Sequence, residues 1–245
     1  MVEGAIKNHK LAAERLDLVK DRAFSFIKNN LGKVSEYDVN KFIFSEFKKS
    51  GFTPDRNYPA VIVAVNENAQ NPHYFPNKKG SKIIKKNDLI LLDIWANLKG
   101  EDSHFADITW MAYAGREIPG EIKATFERVI GARDFTVKFI KKILGRKQLP
   151  NTQIVDRAVR KYFGKMGKYF IHGTGHSLGI KECHGKYFRF DKRSNAKMKI
   201  GIPFTIEPGL YFPGKFGIRS EINCYITKNY KLEITTKVQK QIIKI

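Results

Sequence analysis

The chain has 245 residues, of which 42% are hydrophobic and 28% charged, with 45 Lys and Arg against 24 Asp and Glu, a formal charge of +21. A chain of this length buries about 70–75% of its unfolded surface on folding, so it needs no disulfide framework, and two cysteines exclude one. No stretch approaches the roughly 20 apolar residues that span a bilayer, and the first residues do not resemble a signal peptide, so we expect a cytoplasmic protein without a membrane partner.

The first half of the sequence predicts two helices followed by strands. Apolar residues within 16–27 fall on one helical stripe, which predicts a helix that stops at Gly32. Ser35 and Asp38 resemble a capping box at the start of a second helix, which Gly51 would end. β-branched and apolar runs predict the strands that follow, at 61–65, 88–96 and 105–113.

The second half repeats this order. The pattern predicts a long helix over 121–144 and a second one that Thr152 caps and that ends near Gly164. A β-rich stretch is predicted to begin at 169–172, with strands at 202–207, 218–227 and 232–243. The repeated order indicates an internal duplication, and no Pro/Gly/Ser-rich linker separates the halves. We therefore expect one α+β domain over residues 1–245.

Four acidic residues lie within apolar, strand-like segments. They are Asp93, Asp107, Glu207 and Glu221. An ionised carboxylate that is buried without a partner costs several kcal/mol or takes up a proton. A bound metal ion removes that penalty. A single acid at a strand end more often faces water or pairs with Lys, so the metal hypothesis depends on the four acids together.

A histidine motif, HGTGHSLG, lies between the two pairs of acids at 172–179. Its glycines disfavour a helix and predict a strand or tight turn, and their spacing argues against a dinucleotide site. One histidine with four carboxylates makes a ligand set that suits two divalent ions of the manganese, iron, cobalt or zinc kind. The histidines outside that set, His73 and His184, could donate to a substrate carbonyl or a developing oxyanion.

The acids and the histidine motif resemble a known family. The motifs LLDIWA, FADIT, HGTGHSLG, FTIEPGLY and GIRSEIN are similar to those of the pita-bread metallopeptidases, which include methionine aminopeptidases, aminopeptidase P and prolidase. The resemblance runs from about residue 5 to the end of the chain. It implies a pseudo-twofold fold, with a curved antiparallel sheet and helices outside, and a peptidase that uses two divalent ions, with manganese expected ahead of cobalt, iron or zinc.

The resemblance also implies the metal ligands. Asp93 and Asp107 would bridge the two ions, and His176 and Glu207 would complete the coordination of one of them. Glu221 would bridge them again. Glu207 would in addition act as the general base toward the attacking water.

Further residues resemble the branch of the family that cleaves Xaa-Pro bonds. His73 would contact the substrate near the scissile bond, and His184 would stabilise the tetrahedral intermediate. Arg219 would support a bridging carboxylate without binding the metal itself, and His172 is also typical of that branch. The eight-residue interval from His176 to His184 is instead closer to one type of methionine aminopeptidase.

Other departures bear on the substrate. Trp95 replaces the Gly that usually follows the first ligand, and Trp110 replaces a common Arg. Each Trp either packs in the core or narrows the substrate pocket. Asp93 and Asp107 lie fourteen positions apart, a longer interval than most members have, which indicates a remodelled loop. We expect the catalytic domain only, without the N-terminal accessory domain of Xaa-Pro peptidases.

These observations favour a two-metal peptidase that acts on short peptides, with Pro at the second position. A methionine aminopeptidase-like activity is one alternative, and a non-catalytic module that binds peptides or nucleic acid is another, which the charge of +21 would fit. The complete ligand set argues against a dead module and against metal-free, creatinase-like hydrolysis. The basic residues are scattered and lack interleaved aromatics, which disfavours nucleic acid as a partner. The sequence leaves open whether the chain forms a homodimer.

Overall fold

The computed structural model describes residues 2–55, 59–99 and 103–245. Within these ranges no helix combines the length and the apolar character needed to cross a membrane. The helices are α1 (Val2–Asn29), α2 (Glu36–Lys49), α3 (Gly120–Leu144) and α4 (Thr152–Phe163), with 3₁₀ turns at Asn66–Gln70 and Gly164–Tyr169. The strands are β1 (Phe52–Thr53), β2 (Val61–Val65), β3 (Leu89–Leu98), β4 (Ala106–Tyr113), β5 (Gly175–Leu178), β6 (His184–Phe190), β7 (Phe204–Ile206), β8 (Gly209–Phe212), β9 (Phe216–Arg219), β10 (Ile222–Ile226), β11 (Leu232–Ile234) and β12 (Ile243–Lys244).

Among the described residues these strands form two five-stranded sheets and one hairpin. The first sheet has the order β1-β3-β4-β12, with β2 also paired to β3. The second sheet has the order β11-β10-β7-β5-β6, and β8 pairs with β9. The pairings are antiparallel except that of β12 with β4. Each half therefore places two helices before its sheet, which confirms the repeated order.

Buried apolar stripes attach the helices to the sheets. On α1 the predicted stripe is confirmed, since Leu16, Val19, Ala23 and Ile27 are inaccessible to solvent. They share one core with α2 and with strands β2, β3 and β4. A second core lies between α3, α4 and the second sheet. Because each sheet is fixed from its helix side, the geometry between the two sheets is held rigidly.

Several predicted boundaries are confirmed and others are wrong. The capping box of Ser35 and Asp38 is present, and β2 has its predicted limits. However, α1 ends at Asn29, before Gly32. The cap of α4 is Asn151, whose side chain accepts hydrogen bonds from the first-turn N–H groups, whereas the hydroxyl of Thr152 donates to Ala196 O at 3.0 Å.

The second half differs more from its prediction. The segment 169–172 was predicted to begin a β-rich stretch, but Tyr169 ends the 3₁₀ turn Gly164–Tyr169, residues 170–174 form no strand, and β5 starts only at Gly175. The predicted strand 218–227 is two strands, β9 and β10, separated at Ser220 and Glu221. The predicted strand 232–243 divides into β11 and β12. Strands β6 and β8 were not predicted.

One side chain joins the two sheets where the acids meet. Asn223 on β10 accepts a hydrogen bond from Asp107 N at 2.9 Å and donates one to Asp107 O at 2.6 Å. Next to it, Glu221 N donates to Thr109 O at 3.4 Å. Since buried backbone groups need partners, the Asn223 amide holds β10 against β4. The carboxylates of both halves thereby face one cleft.

Candidate functional site

The first sheet contributes two carboxylates from neighbouring strands. In the β3–β4 register Asp93 lies opposite Thr109, and Trp95 lies opposite Asp107. Asp93 and Asp107 are therefore diagonal neighbours on the same face, within reach of one another. They are only 5% and 6% exposed. The strand register brings the acids together despite the long interval, and residues 100–102 of the loop predicted to be remodelled lie outside the described residues.

The second sheet contributes two more carboxylates from breaks in its strands. Glu221 occupies the gap between β9 and β10, and Glu207 directly follows β7. Carboxylate oxygens of Asp93, Asp107 and Glu221 all lie within 4.8 Å of one another. The break that divides the predicted strand 218–227 is thus the feature that turns Glu221 into the site.

His176 on β5 aims one ring nitrogen at these acids. Its Nδ1 lies 3.1 Å from Ser177 O, and because a carbonyl only accepts, Nδ1 carries the proton. The lone pair is therefore on Nε2, which lies 3.5 Å from Glu207 Oε1 and 3.8 Å from Asp107 Oδ2. A backbone carbonyl that fixes the tautomer in this way is the usual arrangement behind a metal-binding imidazole.

The electrostatics of the cluster are unfavourable without a cation. Burial, and then repulsion by the neighbouring carboxylates, raises the pKa of Asp107 and of Glu221 well above the ordinary value. Burial likewise raises the pKa of Asp93 and Glu207, and it lowers that of His176 to about 4. Like charges packed in a low dielectric are typical of sites that hold a divalent ion.

Two orphaned oxygens show that the residues fit such an ion. Asp107 Oδ1 and Glu221 Oε1 are buried and have no hydrogen-bond partner among the described residues. Buried polar atoms are normally paired, and each unpaired one costs about 1–3 kcal/mol. Carboxylate oxygens and one imidazole nitrogen form a ligand set that suits divalent manganese, iron, cobalt or zinc.

Arg219 holds the cluster from behind, through Asp93 rather than through Glu221. Its guanidinium forms a buried ion pair with Asp93 Oδ2 and donates from Nε to Thr109 Oγ1 at 2.9 Å. Thr109 Oγ1 lies 2.8 Å from Glu221 Oε2 and 3.1 Å from Asp93 Oδ1. Arg219 thus reaches Glu221 only through the threonine hydroxyl, which the sequence did not single out.

His172 and Tyr211 continue this network. His172 Nδ1 lies 2.7 Å from Gly173 O, so it carries the proton, and Nε2 accepts from Tyr211 Oη at 2.7 Å. Burial lowers the pKa of His172 to about 3, which keeps the ring neutral. Tyr211 Oη in turn accepts from Arg219 at 3.1 Å. His172 therefore supports Arg219 through Tyr211, a residue that lies in the FTIEPGLY motif but was not predicted.

The two other predicted histidines border the same cleft. His184, the first residue of β6, places its ring centre 4.2 Å from that of His176. Burial lowers the pKa of His184 to about 4, so its ring is neutral at pH 7 and retains one N–H donor. His73 is exposed in the loop after the Asn66–Gln70 turn and lines the cleft from the opposite side. The structure thus brings every predicted site residue together.

A buried carboxylate that sequence reasoning missed anchors the loop that carries His73. Glu36, at the start of α2, is inaccessible to solvent and accepts hydrogen bonds from Val65 N at 2.7 Å, Tyr74 Oη at 2.7 Å and Lys82 N at 2.8 Å. These donors bracket the loop. On its other side Gly217 lets the loop approach β9, since a Cβ there would lie 1.8 Å from Ala69 O.

Two further features near His176 were also missed. Cys183 Sγ donates to Asp107 Oδ2 at 3.2 Å, and this contact orients the carboxylate whose other oxygen, Oδ1, has no partner among the described residues. Gly175 allows a close approach of β5 to β7, because a Cβ at this position would lie 2.2 Å from Thr205 O. Glycine in the histidine motif therefore serves backbone packing, in keeping with the absence of a dinucleotide pattern.

The cleft has an enclosed end and an open end. The enclosed end has a volume of about 80 Å³ and is walled by Ile62, Phe75 and Trp95 beside the acids. The open end, of about 180 Å³, is bordered by His172 and Arg189. Trp95, 6% exposed, lines this end, which is the second of the two roles left open for it.

Trp110 does not share this role. It lies on β4 directly opposite Leu92, and its ring stacks under Lys20 Nζ of α1 at 3.6 Å. Of the two roles left open for Trp110, core packing or narrowing of the pocket, the structure shows packing outside the cleft. Its side chain covers the helix side of the sheet instead.

Comparison with known proteins places this architecture among relatives. The model of metallopeptidase family M24 matches residues 7–228. An uncharacterised peptidase of Methanocaldococcus jannaschii is 30% identical over 240 residues, which cover 96% of this chain and 62% of that protein.

Solved structures are similar over nearly the whole chain. A prolidase from Thermococcus sibiricus is 30% identical with a TM-score of 0.80, over 99% of this chain and 61% of that one. An X-Pro aminopeptidase from Thermotoga maritima is 25% identical with a TM-score of 0.82, over 99% and 64%. These likenesses confirm the expected α+β pita-bread fold. The chain spans about three fifths of the length of each of these relatives.

Proposed function

Since the chain belongs to metallopeptidase family M24, we propose that it is a dinuclear exopeptidase that removes the N-terminal residue of short peptides, with Xaa-Pro as the preferred bond. The observation that carries the proposal is the cluster of buried carboxylates with two orphaned oxygens beside His176 Nε2. Asp93, Asp107, His176, Glu207 and Glu221 would hold the ions. We propose manganese first, because four carboxylates and a single imidazole favour a cation that prefers oxygen ligands, ahead of cobalt, iron or zinc.

The residues around the cleft divide the chemical work. Two bound ions would supply Lewis-acid polarisation of the scissile carbonyl and would lower the pKa of the attacking water. Glu207 accepts the proton of that water and delivers it to the leaving nitrogen. Burial raises the pKa of this carboxyl, which favours uptake of the proton.

The neutral histidines stabilise the charge that develops on the substrate. His184 retains one N–H and lies beside His176, so it can donate to the oxygen of the tetrahedral intermediate. His73, on the wall formed by the loop after Gln70, contacts the substrate near the scissile bond. Both imidazole rings can act in this role in their neutral form.

Two observations support an Xaa-Pro substrate. Arg219 and His172, the two residues that resemble the Xaa-Pro branch in sequence, are linked in the structure through Tyr211. The similar structures include a prolidase and an X-Pro aminopeptidase. Methionine aminopeptidase-like cleavage stays the alternative, because of the short interval from His176 to His184.

The test is release of the N-terminal residue from Ala-Pro, from a longer Ala-Pro peptide and from a Met-Ala peptide, first with chelator and then with added manganese or cobalt. Metal-restored cleavage limited to the Ala-Pro substrates is expected. Cleavage of Met-Ala alone would favour the alternative. Absence of cleavage by protein that holds two ions per chain would contradict the proposed activity.

Trp95 is expected to restrict the N-terminal residue to small side chains. The enclosed end holds about 80 Å³, which is space for about five to eight water-sized probes before any ion is bound. Trp95→Ala is expected to raise kcat/KM for Leu-Pro relative to Ala-Pro by about 10-fold or more, since each added methylene in a matched pocket changes binding by about 1–3 kcal/mol. Steady-state kinetics with both dipeptides measure this ratio.

Trp110→Ala provides the matched control for Trp95→Ala. It deletes the same side chain from the neighbouring strand, outside the cleft, and should leave the Leu-Pro to Ala-Pro ratio unchanged. Both variants lose core packing worth about 3–5 kcal/mol, so each needs a thermal unfolding curve. An unchanged ratio in folded Trp95→Ala would show that the indole does not limit the pocket.

A further inference from the structure

A large cavity lies outside the cleft, along strand β6. It has a volume of about 590 Å³ and is open to solvent. It meets the open end of the cleft at His184, Arg189 and Asp191, which border both spaces. Further along, Lys186 and Arg193 lie on its walls. We call this cavity the β6 groove.

The β6 groove runs beside an open sheet edge. Strand β6 is the last strand of its sheet, and within the described ranges no strand pairs with its outer edge. Such an edge presents unpaired backbone N–H and C=O groups, to which an extended peptide can add as a further strand. The chemistry of the edge therefore fits peptide backbone.

The segment that forms this edge is strongly basic. Residues 181–199 contain seven Lys and Arg against two acids. One of the two acids, Asp191, is already engaged, since its carboxylate accepts from Arg193 N at 2.6 Å and Ser194 N at 3.0 Å. Three basic side chains, Lys186, Arg189 and Arg193, line the groove against two acidic ones, Glu182 and Asp191, so its walls carry a net positive charge. Acidic side chains are the complement of this surface.

The shape of the cleft sets the direction in which a substrate leaves it. An exopeptidase must stop the chain at its N-terminal residue, and the enclosed end beside Trp95 is the closed side. With the N-terminal residue in the smaller end, the rest of the peptide would leave through the larger end, past His184 and Arg189, where the β6 groove begins.

We infer that the β6 groove binds the segment downstream of the scissile bond in substrates longer than a dipeptide, as an added strand, and that it selects acidic residues there. This inference rests on the proposed exopeptidase activity. It makes the protein an aminopeptidase for acidic peptides that also cleaves dipeptides, with the extra affinity confined to the longer substrates.

The test compares Ala-Pro, Ala-Pro-Glu-Glu-Glu and Ala-Pro-Lys-Lys-Lys with the metal-loaded protein. The acidic peptide is expected to show a kcat/KM at least about 10-fold above that of the basic one, and this ratio should fall as salt screens the charges. Methylation of alternate backbone nitrogens in the acidic peptide should also raise its KM. Equal rates for the acidic and basic peptides would overturn the inference.

A charge-reversed variant keeps the inference separate from the proposed activity. Lys186→Glu with Arg193→Glu changes groove residues that lie outside the cleft, and it should abolish the acidic preference while Ala-Pro cleavage is unchanged. Lys7→Glu on α1, an exposed lysine in the other half, is the matched control and should leave the preference intact. If the wild-type protein did not cleave Ala-Pro, this result would contradict the proposed function and not the inference about the groove.

Equilibrium binding tests the groove even if no peptide is cleaved. A fluorescent Ala-Pro-Glu-Glu-Glu peptide should bind the wild-type protein by anisotropy, and the double variant should bind it at least about 10-fold more weakly. Equal binding by both proteins would contradict the inference. Tighter binding of a single-stranded oligonucleotide than of the peptide, lost in the same variant, would assign the groove to nucleic acid instead.

Discussion

Glu207→Gln is expected to lower kcat on the cleaved Xaa-Pro peptide by at least about 10²-fold, the usual contribution of a positioned general base. Glu207 is the least buried of the four acids, with a side chain 16% exposed, and it borders both parts of the cleft. Gln has nearly the same volume and can still accept the hydrogen bond from Thr205 Oγ1, which lies 3.1 Å away. The substitution thus removes the proton acceptor and one carboxylate of the proposed metal site, with little change in side-chain shape.

Metal content separates the two roles assigned to Glu207. The rate of Glu207→Gln must be expressed per ion-loaded molecule, with the ions counted by elemental analysis. Asp191→Asn is the matched control, because Asp191 is another carboxylate that borders the open end and Asn can keep its turn contacts. That variant should retain the wild-type rate. A wild-type rate in fully loaded Glu207→Gln would rule out Glu207 as the base.

The ligand set could be predicted from the sequence because each member breaks a local rule. A carboxylate inside an apolar strand, such as Asp93 or Asp107, conflicts with burial and so indicates a function without any knowledge of the fold. The residues that support these acids break no such rule. A hydroxyl in a strand, as in Thr109, or a tyrosine such as Tyr211, is ordinary until its tertiary partner is known. Asn223 joins two sheets, which no local pattern can indicate.

The failure to predict some secondary-structure elements also has a physical explanation. Strand β6 alternates irregularly because a bulge lies in its pairing with β5, between His176 and Leu178. The pair Asn151 and Thr152 offers two good caps in succession, and only the contact of Thr152 with Ala196 decides between them. The break at Glu221 could not be read from the apolar run around it, because the need to turn that carboxylate toward Asp107 is a tertiary constraint.

Asp107→Asn is expected to change stability in opposite directions with and without metal. In wild-type protein, ions at about 100 times their Kd should add about 2.7 kcal/mol, since they bind only the folded chain. For a chain of this size that corresponds to a rise in Tm of about 5–10 °C. The variant lacks a carboxylate at the centre of the cluster, so both the metal-dependent rise and the bound ions should be largely lost.

Without metal, the same variant should be more stable than wild type by about 1–3 kcal/mol, because it removes one of several buried like charges and its amide can donate to the carboxylates that remain. Thermal unfolding in chelator and then in manganese measures both effects. Asp156→Asn is the matched control: Asp156 is equally buried, but it pairs with Arg160 at 2.8 Å and accepts from Thr174 Oγ1 at 2.9 Å. That substitution should destabilise the metal-free protein and leave the metal-dependent rise in place. If Asp107→Asn instead destabilised the metal-free chain as Asp156→Asn does, Asp107 would be a structural acid, and the proposed metal centre would lose its central ligand.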